Sequence, residues 1–289
     1  MPHIYGLLKS QAGLNEVRVP IDAPDPHITS PIFLSPDALT NPDVLMILII
    51  GSGAVRAGMW ARALCINNDL KLGTQLPYLE EAKKRNWGSI VLNPNETKAV
   101  VYKEHKDTPT PPASSSSSTA APAPTPEEVQ KAKEYYLNSD KKCQTFRGEV
   151  EGVYPIPGSE SPDRHAIYVY DNFISKAEAK QIVIVAHSAG GFSTMQLLRH
   201  RPEIRKKITS IAFTDSVHSV SRSETQPVLS LLRATAVNYV RSNKPLDTRL
   251  GRSEGCLCVS AGHERHEFTS GTAISSVFRK FDNDLTNSN

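Results

Sequence analysis

The sequence predicts an α/β fold with a mostly parallel sheet and helices on both of its faces. Five short apolar runs without alternation recur along the chain, as expected of parallel strands that are buried on both sides. They are LMILII at residues 45–50, SIVL at 89–92, QIVIV at 181–185, ITSIAFT at 208–214 and CLCVS at 256–260. Helical patterns lie between these runs, and the alternation favours right-handed crossovers in one doubly wound sheet.

Six segments place apolar residues at three- and four-residue spacing and are predicted helices. They are residues 59–66, 77–85, 164–179, 192–200, 227–241 and 273–281. In the segment 227–241, Val228, Leu232 and Val237 share an apolar face, while Arg233 and Asn238 fall on a polar face. We therefore predict a single helix over that segment.

Length and charge narrow the functional classes. The 289 residues are 39% hydrophobic, which is enough for one large globular domain with an insertion. A net charge of +3 is too small and too scattered to indicate a nucleic-acid or anionic-lipid surface, and no direct nucleic-acid motif is present in the sequence. No apolar run approaches the roughly 20 residues of a membrane helix. Four cysteines form neither a disulfide framework nor a CxxC pair, which is typical of a reducing compartment. Taken together, these features predict a soluble, intracellular protein without cofactors.

One segment interrupts the alternation. Residues 104–161 form a predicted insertion into a single domain made of residues 1–103 and 162–289. Its first part, residues 104–126, is rich in Pro, Ser and Ala and has no apolar face to bury, so we predict disorder there. Thr125, Pro126 and Glu128 then predict the start of a helix. A lid over a cleft, a docking module and a tolerated surface excursion all remain open for the insertion.

The strongest functional signal is a strand, a tight turn and a helix in QIVIVAHSAGGFSTMQLL, residues 181–198. Ser188 lies on the turn, with the small residues Ala186 and Gly190 two positions before and after it, as a strained nucleophile elbow requires. Alanine replaces the first glycine of G-x-S-x-G, a modest change because a methyl group can be accommodated. We therefore predict an α/β-hydrolase-like fold with Ser188 as the nucleophile. A phosphate-binding or purely structural glycine turn is the alternative.

Backbone N–H groups around Ser188 are expected to form an oxyanion hole. Ser188 begins the following helix, where the N–H of Ala189 is free and the helix dipole favours negative charge. The second donor is expected from Gly51, Ser52 and Gly53, because this loop follows the strand LMILII and its glycines let the backbone approach a substrate.

A serine hydroxyl needs a base, and the base needs an orienting carboxylate, in the chain order serine, acid, histidine. Asp215 ends the run ITSIAFT at the carboxyl edge of the sheet and is the first choice for the acid, with Asp247 as the runner-up. His266, on the loop after the last strand, is the predicted base, and His263 is the near alternative.

Other polar residues are weaker candidates for a function. His187 and His218 adjoin the predicted site but fit the role of base less well, since the elbow should direct the His187 side chain away from that of Ser188. No H-E-x-x-H pair supports a metal site. Asn95 begins a glycosylation sequon, a triplet that is common by chance.

With these residues laid out, the chain resembles the Arb-two (Argonaute-binding protein two) domain family, most closely its animal branch of cotranscriptional regulators. The resemblance spans most of the chain apart from the insertion and the termini. Its matching segments include GSGAVRAG at residues 51–58, VAHSAGG at 185–191, TDSVH at 214–218 and SAGHERHEFTS at 260–270. One departure is Ile50, since animal relatives resemble L-I-H-G-S-G at this position.

The resemblance implies an α/β-hydrolase-like domain of nuclear and cytoplasmic proteins, with Argonaute and chromatin or splicing proteins as partners. It implies a role in small-RNA (siRNA)-linked heterochromatin silencing or alternative splicing. Matching positions would make Ser188 the nucleophile, with Asp215 and His266 as acid and base. The expected function is therefore a cotranscriptional regulator with a Ser-His-Asp hydrolase site. An active serine esterase or acyl hydrolase on a small ester, thioester or amide is the alternative.

Overall fold

The computed structural model describes residues 2–102 and 150–287, and its central element is a nine-stranded sheet. The described residues form eleven strands, and all of them except β5 and β6 belong to this sheet. They are β1 (Asn15–Val19), β2 (Ser30–Leu34), β3 (Val44–Ile49), β4 (Gly88–Val91), β5 (Lys98–Tyr102), β6 (Val150–Pro155), β7 (Gln181–His187), β8 (Ile208–Thr214), β9 (Ala236–Val240), β10 (Arg249–Ser253) and β11 (Cys256–Ser260). The large sheet has the order β1-β2-β4-β3-β7-β8-β9-β11-β10. Its middle, from β4 to β11, is parallel, and its two ends are antiparallel.

Helices cover both faces of this sheet. They are α1 (Pro2–Ser10), α2 (Arg62–Asn67), α3 (Leu70–Gly73), α4 (Leu76–Lys84), α5 (Pro162–Asn172), α6 (Gly190–His200), α7 (Gln226–Thr235) and α8 (Thr269–Asn287). Side chains of α5, α6 and α7 pack on one face with Ile47, Ile184 and Ile211. Side chains of α1, α4 and α8 pack on the other face with Met46 and Val183. The predicted α/β-hydrolase-like fold, a mostly parallel sheet with helices on both faces, is confirmed.

The central strands are apolar throughout because both of their faces are buried. All six residues of β3 are buried, and its side chains alternate between the two faces, with Ile47 on one and Met46 and Leu48 on the other. Burying each side chain of this size contributes about 1.5–3 kcal/mol. The predicted runs at 208–214 and 256–260 coincide with β8 and β11, and the other three differ from their strands by one or two residues at one or both ends.

The helix predicted over residues 227–241 is wrong in its second half. Helix α7 ends at Thr235, and the next five residues form β9, which pairs in parallel with β8 and β11. Val237, Tyr239 and Val240 are β-branched or aromatic residues, which favour strands. A strand between β8 and β11 also supplies backbone partners that both neighbours need. The helical spacing continued into β9 by coincidence, because the same apolar residues also suit a strand.

The strands at the two ends of the sheet were not predicted from the sequence. Strands β1 and β2 pair antiparallel at one end, and β10 pairs antiparallel with β11 at the other. Pro31 lies within β2 and obscured its strand pattern, because proline lacks the N–H that strand pairing uses. Helix α5 is shorter than the predicted segment 164–179, since it ends at Asn172 and a 3-10 turn at Ile174–Lys176 follows.

The structure describes the predicted insertion only from residue 150 onward. There β6 pairs antiparallel with β5, so the residues that flank the segment 103–149 belong to one small sheet. The disorder predicted for residues 104–126 and the helix predicted to start at Thr125 lie outside the described residues. The roles considered for the insertion stay predictions.

None of the helices in residues 2–102 and 150–287 combines the length and the apolar character needed to cross a bilayer. Cys65, Cys256 and Cys258 are free thiols. No group of three His, Cys, Asp or Glu side chains in the same ranges is arranged to hold a metal ion.

Candidate active site

Ser188 lies on the tight turn between β7 and α6. Its φ of 51° is in the left-handed region, a strained conformation for a residue with a side chain. Its N–H donates to the Thr214 carbonyl at 3.1 Å, and its carbonyl accepts from the N–H groups of Gly191 at 3.2 Å and Val217 at 3.3 Å. These bonds hold the turn at the carboxyl edge of the sheet, where ligands bind in open α/β folds.

Close packing explains the glycine that follows the serine by two positions. A Cβ atom at Gly190 would lie 2.7 Å from the carbonyl oxygen of Ile49 and 2.8 Å from that of Ile50. Both oxygens belong to the backbone at the end of β3, which is paired on both sides and cannot shift easily. Glycine is therefore required where α6 meets β3. At the other small position, Ala186 is fully buried within β7.

Asp215 and His266 are joined directly by their side chains. Asp215 follows β8, and its Oδ2 lies 2.6 Å from His266 Nδ1. Its backbone N–H donates to the Tyr239 carbonyl at 2.8 Å, and its Oδ1 accepts the N–H of Arg241 at 3.2 Å. Because an ionised carboxylate only accepts, a neutral His266 carries its proton on Nδ1 and leaves Nε2 as the basic nitrogen. This is the tautomer that a base for serine requires.

The same contacts keep the Asp215 carboxyl ionised. Burial by itself would raise its pKa, but the hydrogen bonds from His266 and from the Arg241 N–H, aided by nearby positive charge, hold the pKa below its ordinary value of 3.8. The Arg241 Nε lies 3.8 Å from Asp215 Oδ2. A negative carboxylate in this position would stabilise the imidazolium that forms when His266 accepts a proton.

The serine and the histidine are not hydrogen-bonded to each other. Within residues 2–102 and 150–287, Ser188 Oγ makes no hydrogen bond, whereas His266 is bonded to Asp215. Contacts between a nucleophile and its base often tighten only when a substrate binds. The structure therefore joins the acid and the base of the predicted triad. It places the serine at the end of β7, and the acid follows the neighbouring strand β8.

The alternative acid and base have other partners. The Asp247 carboxylate is bonded to the Ser276 hydroxyl and to the Arg279 guanidinium. The His263 ring stacks on Phe268 with centroids 4.1 Å apart. The geometry therefore favours the first-choice acid and base over these alternatives.

His218 is engaged at both ring nitrogens. Its Nδ1 lies 2.9 Å from Ser216 Oγ, and its Nε2 lies 3.1 Å from the Glu254 carbonyl oxygen. The ring also stacks on Phe213 with centroids 4.2 Å apart. These contacts make His218 a structural residue of the adjoining loop.

His187 packs against the candidate base, a contact that the sequence did not predict. The ring centroids of His187 and His266 are 4.6 Å apart. His187 Nδ1 lies 2.9 Å from the Thr214 carbonyl oxygen, which only accepts, so Nδ1 carries the proton. Burial, and then the neighbouring His266, lower the pKa of His187 to about 4. His187 is therefore a neutral ring that supports His266.

The loop after β3 lies close to the serine. A Cβ atom at Gly51 would be 2.8 Å from the Cβ of Ser188, so this position requires glycine. Gly53 has a φ of 109°, which residues with side chains rarely adopt. Among the described residues, the N–H groups of Ser52 and Ala189 have no acceptor. Both N–H groups are therefore available to bind an oxyanion.

Asn95 holds this loop, a role that sequence reasoning missed. Its Nδ2 donates to the carbonyl of Gly51 at 2.6 Å and to that of Val55 at 3.2 Å. The side chain is thus turned inward onto the backbone. The position of Asn95 just after the run SIVL could have indicated this contact, because the carboxyl ends of β3 and β4 lie side by side in a parallel sheet.

The model of the Arb2 domain family matches residues 1–246 of the chain. The chain belongs to the Arb2-domain family. A Xenopus tropicalis protein named cotranscriptional regulator ARB2A homolog is 44% identical over an alignment of 293 positions, which covers 98% of this chain and 68% of the relative. The human cotranscriptional regulator ARB2A is 43% identical over 284 residues, 96% of this chain and 68% of the human protein. The family resemblance predicted from the sequence is confirmed.

A solved structure shares the architecture of this chain. The structure of the histone deacetylase Clr3 matches with a TM-score of 0.51 and 12% sequence identity, over 98% of this chain and 38% of that chain. At so low an identity the likeness shows the fold alone.

The Arb2 domain is expected to lose stability on acidification because of its buried histidines. Burial lowers the pKa of His165 to about 3 and that of His187 to about 4, from an ordinary value of 6.5. Below about pH 6.5 the unfolded chain binds protons that the folded chain does not, so this stability is present above that pH and falls as the pH falls. At about pH 5 each histidine should remove about 2 kcal/mol from the free energy of unfolding.

Urea unfolding at about pH 7 and about pH 5 measures this effect. His165→Gln removes one of the two groups, so the loss of stability between the two pH values should be about 2 kcal/mol smaller than in wild type. Equal losses in the variant and the wild type would contradict the assignment of His165 as a buried neutral ring.

Proposed function

We propose that this Arb2 domain is a serine acyl hydrolase that acts on a small ester, thioester or amide. Ser188 is the nucleophile, His266 is the general base and Asp215 is the acid that orients it. The N–H groups of Ala189 and of the loop at residues 51–53 stabilise the oxyanion.

One observation carries the proposal. Asp215 Oδ2 lies 2.6 Å from His266 Nδ1 beside a serine held in a left-handed conformation. The three residues follow β8, β11 and β7, three separate strands whose carboxyl ends share one edge of the sheet. A purely structural ion pair would explain the contact between Asp215 and His266. It would not explain why a strained serine and free N–H groups lie at the same edge of the sheet.

The reaction balances without a cofactor. Ser188 Oγ bonds to the carbonyl carbon of the substrate while its proton moves to His266 Nε2, and the carbonyl oxygen becomes the oxyanion. The intermediate then breaks its bond to the alcohol, thiol or amine, which leaves with the proton held by His266. Water repeats the sequence on the acyl-enzyme, releases the carboxylic acid and restores the serine. Asp215 stays ionised throughout and stabilises the transient imidazolium.

Labelling with a fluorophosphonate probe tests the proposal. Wild type should take one label, mapped by peptide mass spectrometry to Ser188, and Ser188→Ala should take none. Ser175→Ala is the matched control, because it removes an exposed hydroxyl in the 3-10 turn at Ile174–Lys176, which precedes the amino end of β7, and it should label like wild type. Folded wild-type protein that takes no label would contradict the hydrolase function.

A regulatory role is the second candidate, favoured by the names of the relatives. We propose that the domain also serves cotranscriptional regulation in the nucleus, with a cytoplasmic pool, by binding Argonaute and chromatin or splicing proteins. This role would link it to siRNA-directed heterochromatin silencing or alternative splicing. Pull-down with wild type and Ser188→Ala tests this role. If both proteins capture Argonaute, binding does not depend on catalysis. If neither does, the proposal that Argonaute is a partner is contradicted.

A further inference from the structure

We propose that Asn95 is a positioning residue that sets the second donor of the oxyanion hole, an inference that rests on the hydrolase function proposed above. Its Nδ2 donates to the carbonyl of Gly51 at 2.6 Å and to that of Val55 at 3.2 Å. These carbonyls lie at the two ends of the loop that follows β3. One amide group therefore ties the loop into a compact turn.

The bond to Gly51 fixes the direction of the next N–H group. A peptide unit is planar and trans, so its C=O and the following N–H point in opposite directions. With the Gly51 carbonyl held by Asn95, the Ser52 N–H must point away from Asn95. Gly51 itself adjoins the nucleophile, since a Cβ at this position would be 2.8 Å from the Ser188 Cβ. The Ser52 N–H is therefore presented beside the serine, as the second oxyanion donor should be.

A second asparagine makes this support rigid. Asn93 is fully buried, and its Oδ1 accepts the N–H of Ala57 at 2.9 Å, just beyond the loop. Its Nδ2 donates to Glu96 Oε2 at 2.6 Å, and its own N–H donates to His165 Nε2 at 3.0 Å. Asn93 thus anchors both the end of the loop and the turn that carries Asn95. Donors held in place before the reaction stabilise developing charge without reorganisation.

The side chain that precedes the loop offers no substitute for this support. Ile50 is buried and apolar, so it can neither donate to the substrate nor orient the peptide after Gly51 by a hydrogen bond. Among the described residues, the side-chain hydrogen bond that orients this peptide comes from Asn95.

Asn95→Asp tests the proposal with little change in size. The exchange removes both N–H donors and turns a carboxylate oxygen toward two carbonyl oxygens. We expect the rate of fluorophosphonate labelling near neutral pH to fall about 100-fold, the usual effect of losing one oxyanion donor. The matched control is Asn172→Asp, whose amide also donates to a backbone carbonyl, that of Tyr168 at 3.0 Å, but within α5. It should label at the wild-type rate.

A pH series separates positioning from a merely structural role. The introduced carboxyl regains one donor when it is protonated, and carbonyl oxygens beside it raise its pKa. The ratio of the Asn95→Asp rate to the wild-type rate should therefore rise about 10-fold between about pH 8 and about pH 5. Dividing by the wild-type rate at the same pH removes every effect of pH that the two proteins share. A wild-type rate in Asn95→Asp, or a reduced ratio that stays constant with pH, would overturn the proposal.

The two proposals fail in different ways. Wild-type protein that takes no label would refute the hydrolase function, and a crystal structure of Asn95→Asp would then decide the positioning role by itself. We expect the peptide between Gly51 and Ser52 to be rotated in that variant. An unchanged orientation of this peptide would overturn the role of Asn95.

Discussion

Asp215→Asn is expected to slow the labelling of Ser188 by about 1,000- to 10,000-fold, as the equivalent exchange does in serine proteases. The asparagine amide would donate to His266 Nδ1 and so shift the ring proton to Nε2, the nitrogen that must accept the proton of the serine. The fold should persist, because asparagine tolerates the φ of 46° at this position. Time courses of labelling and thermal unfolding midpoints measure both parts of the expectation.

Asp247→Asn is the matched control for this exchange. It removes a carboxylate that binds Ser276 and Arg279, in a partly exposed ion pair worth about 1 kcal/mol or less. We expect its labelling rate to stay within about 3-fold of wild type, because the pair does not touch the base. If Asp247→Asn lost labelling while Asp215→Asn kept it, the assignment of the acid would be reversed.

Gly190→Ala is expected to destabilise the domain by about 3 kcal/mol, a large share of a typical unfolding free energy. The added methyl group would lie 2.7 Å from the Ile49 carbonyl oxygen and 2.8 Å from that of Ile50. Both atoms belong to the backbone beside the central strand β3, so neither a rotamer change nor a small local shift relieves the overlap. Urea unfolding followed by circular dichroism measures the change.

Gly6→Ala is the control for Gly190→Ala. Gly6 lies inside α1, and a Cβ atom there would meet nothing within 4 Å. The exchange should stabilise the domain by about 0.5–1 kcal/mol through the higher helix propensity of alanine. Equal midpoints for Gly190→Ala and wild type would mean that α6 does not approach β3 as closely as described.

Local sequence was sufficient to predict the turn around Ser188. The strand β7, the small residues at 186 and 190 and the start of α6 are contiguous, and each has a distinct residue pattern. The same holds for the apolar runs of the parallel strands, because burial on both faces excludes polar residues from them. Periodicity failed at β9, where residues that suit a helix also suit a strand and only pairing with β8 and β11 decides between the two.

The residues of the site lie far apart in the chain, and the tertiary structure decided how they meet. Asp215 and His266 are 51 positions apart, and Asn95 and Gly51 are 44 apart. The sequence by itself determined the fold class and the position of Ser188, because periodicity and small residues report which side of an element is buried. Its long matching segments, by resemblance, also indicated the family. It ranked Asp215 before Asp247 but showed neither the contacts of these carboxylates nor those of Asn95, because these contacts depend on how loops from separate strands fold over one edge of the sheet.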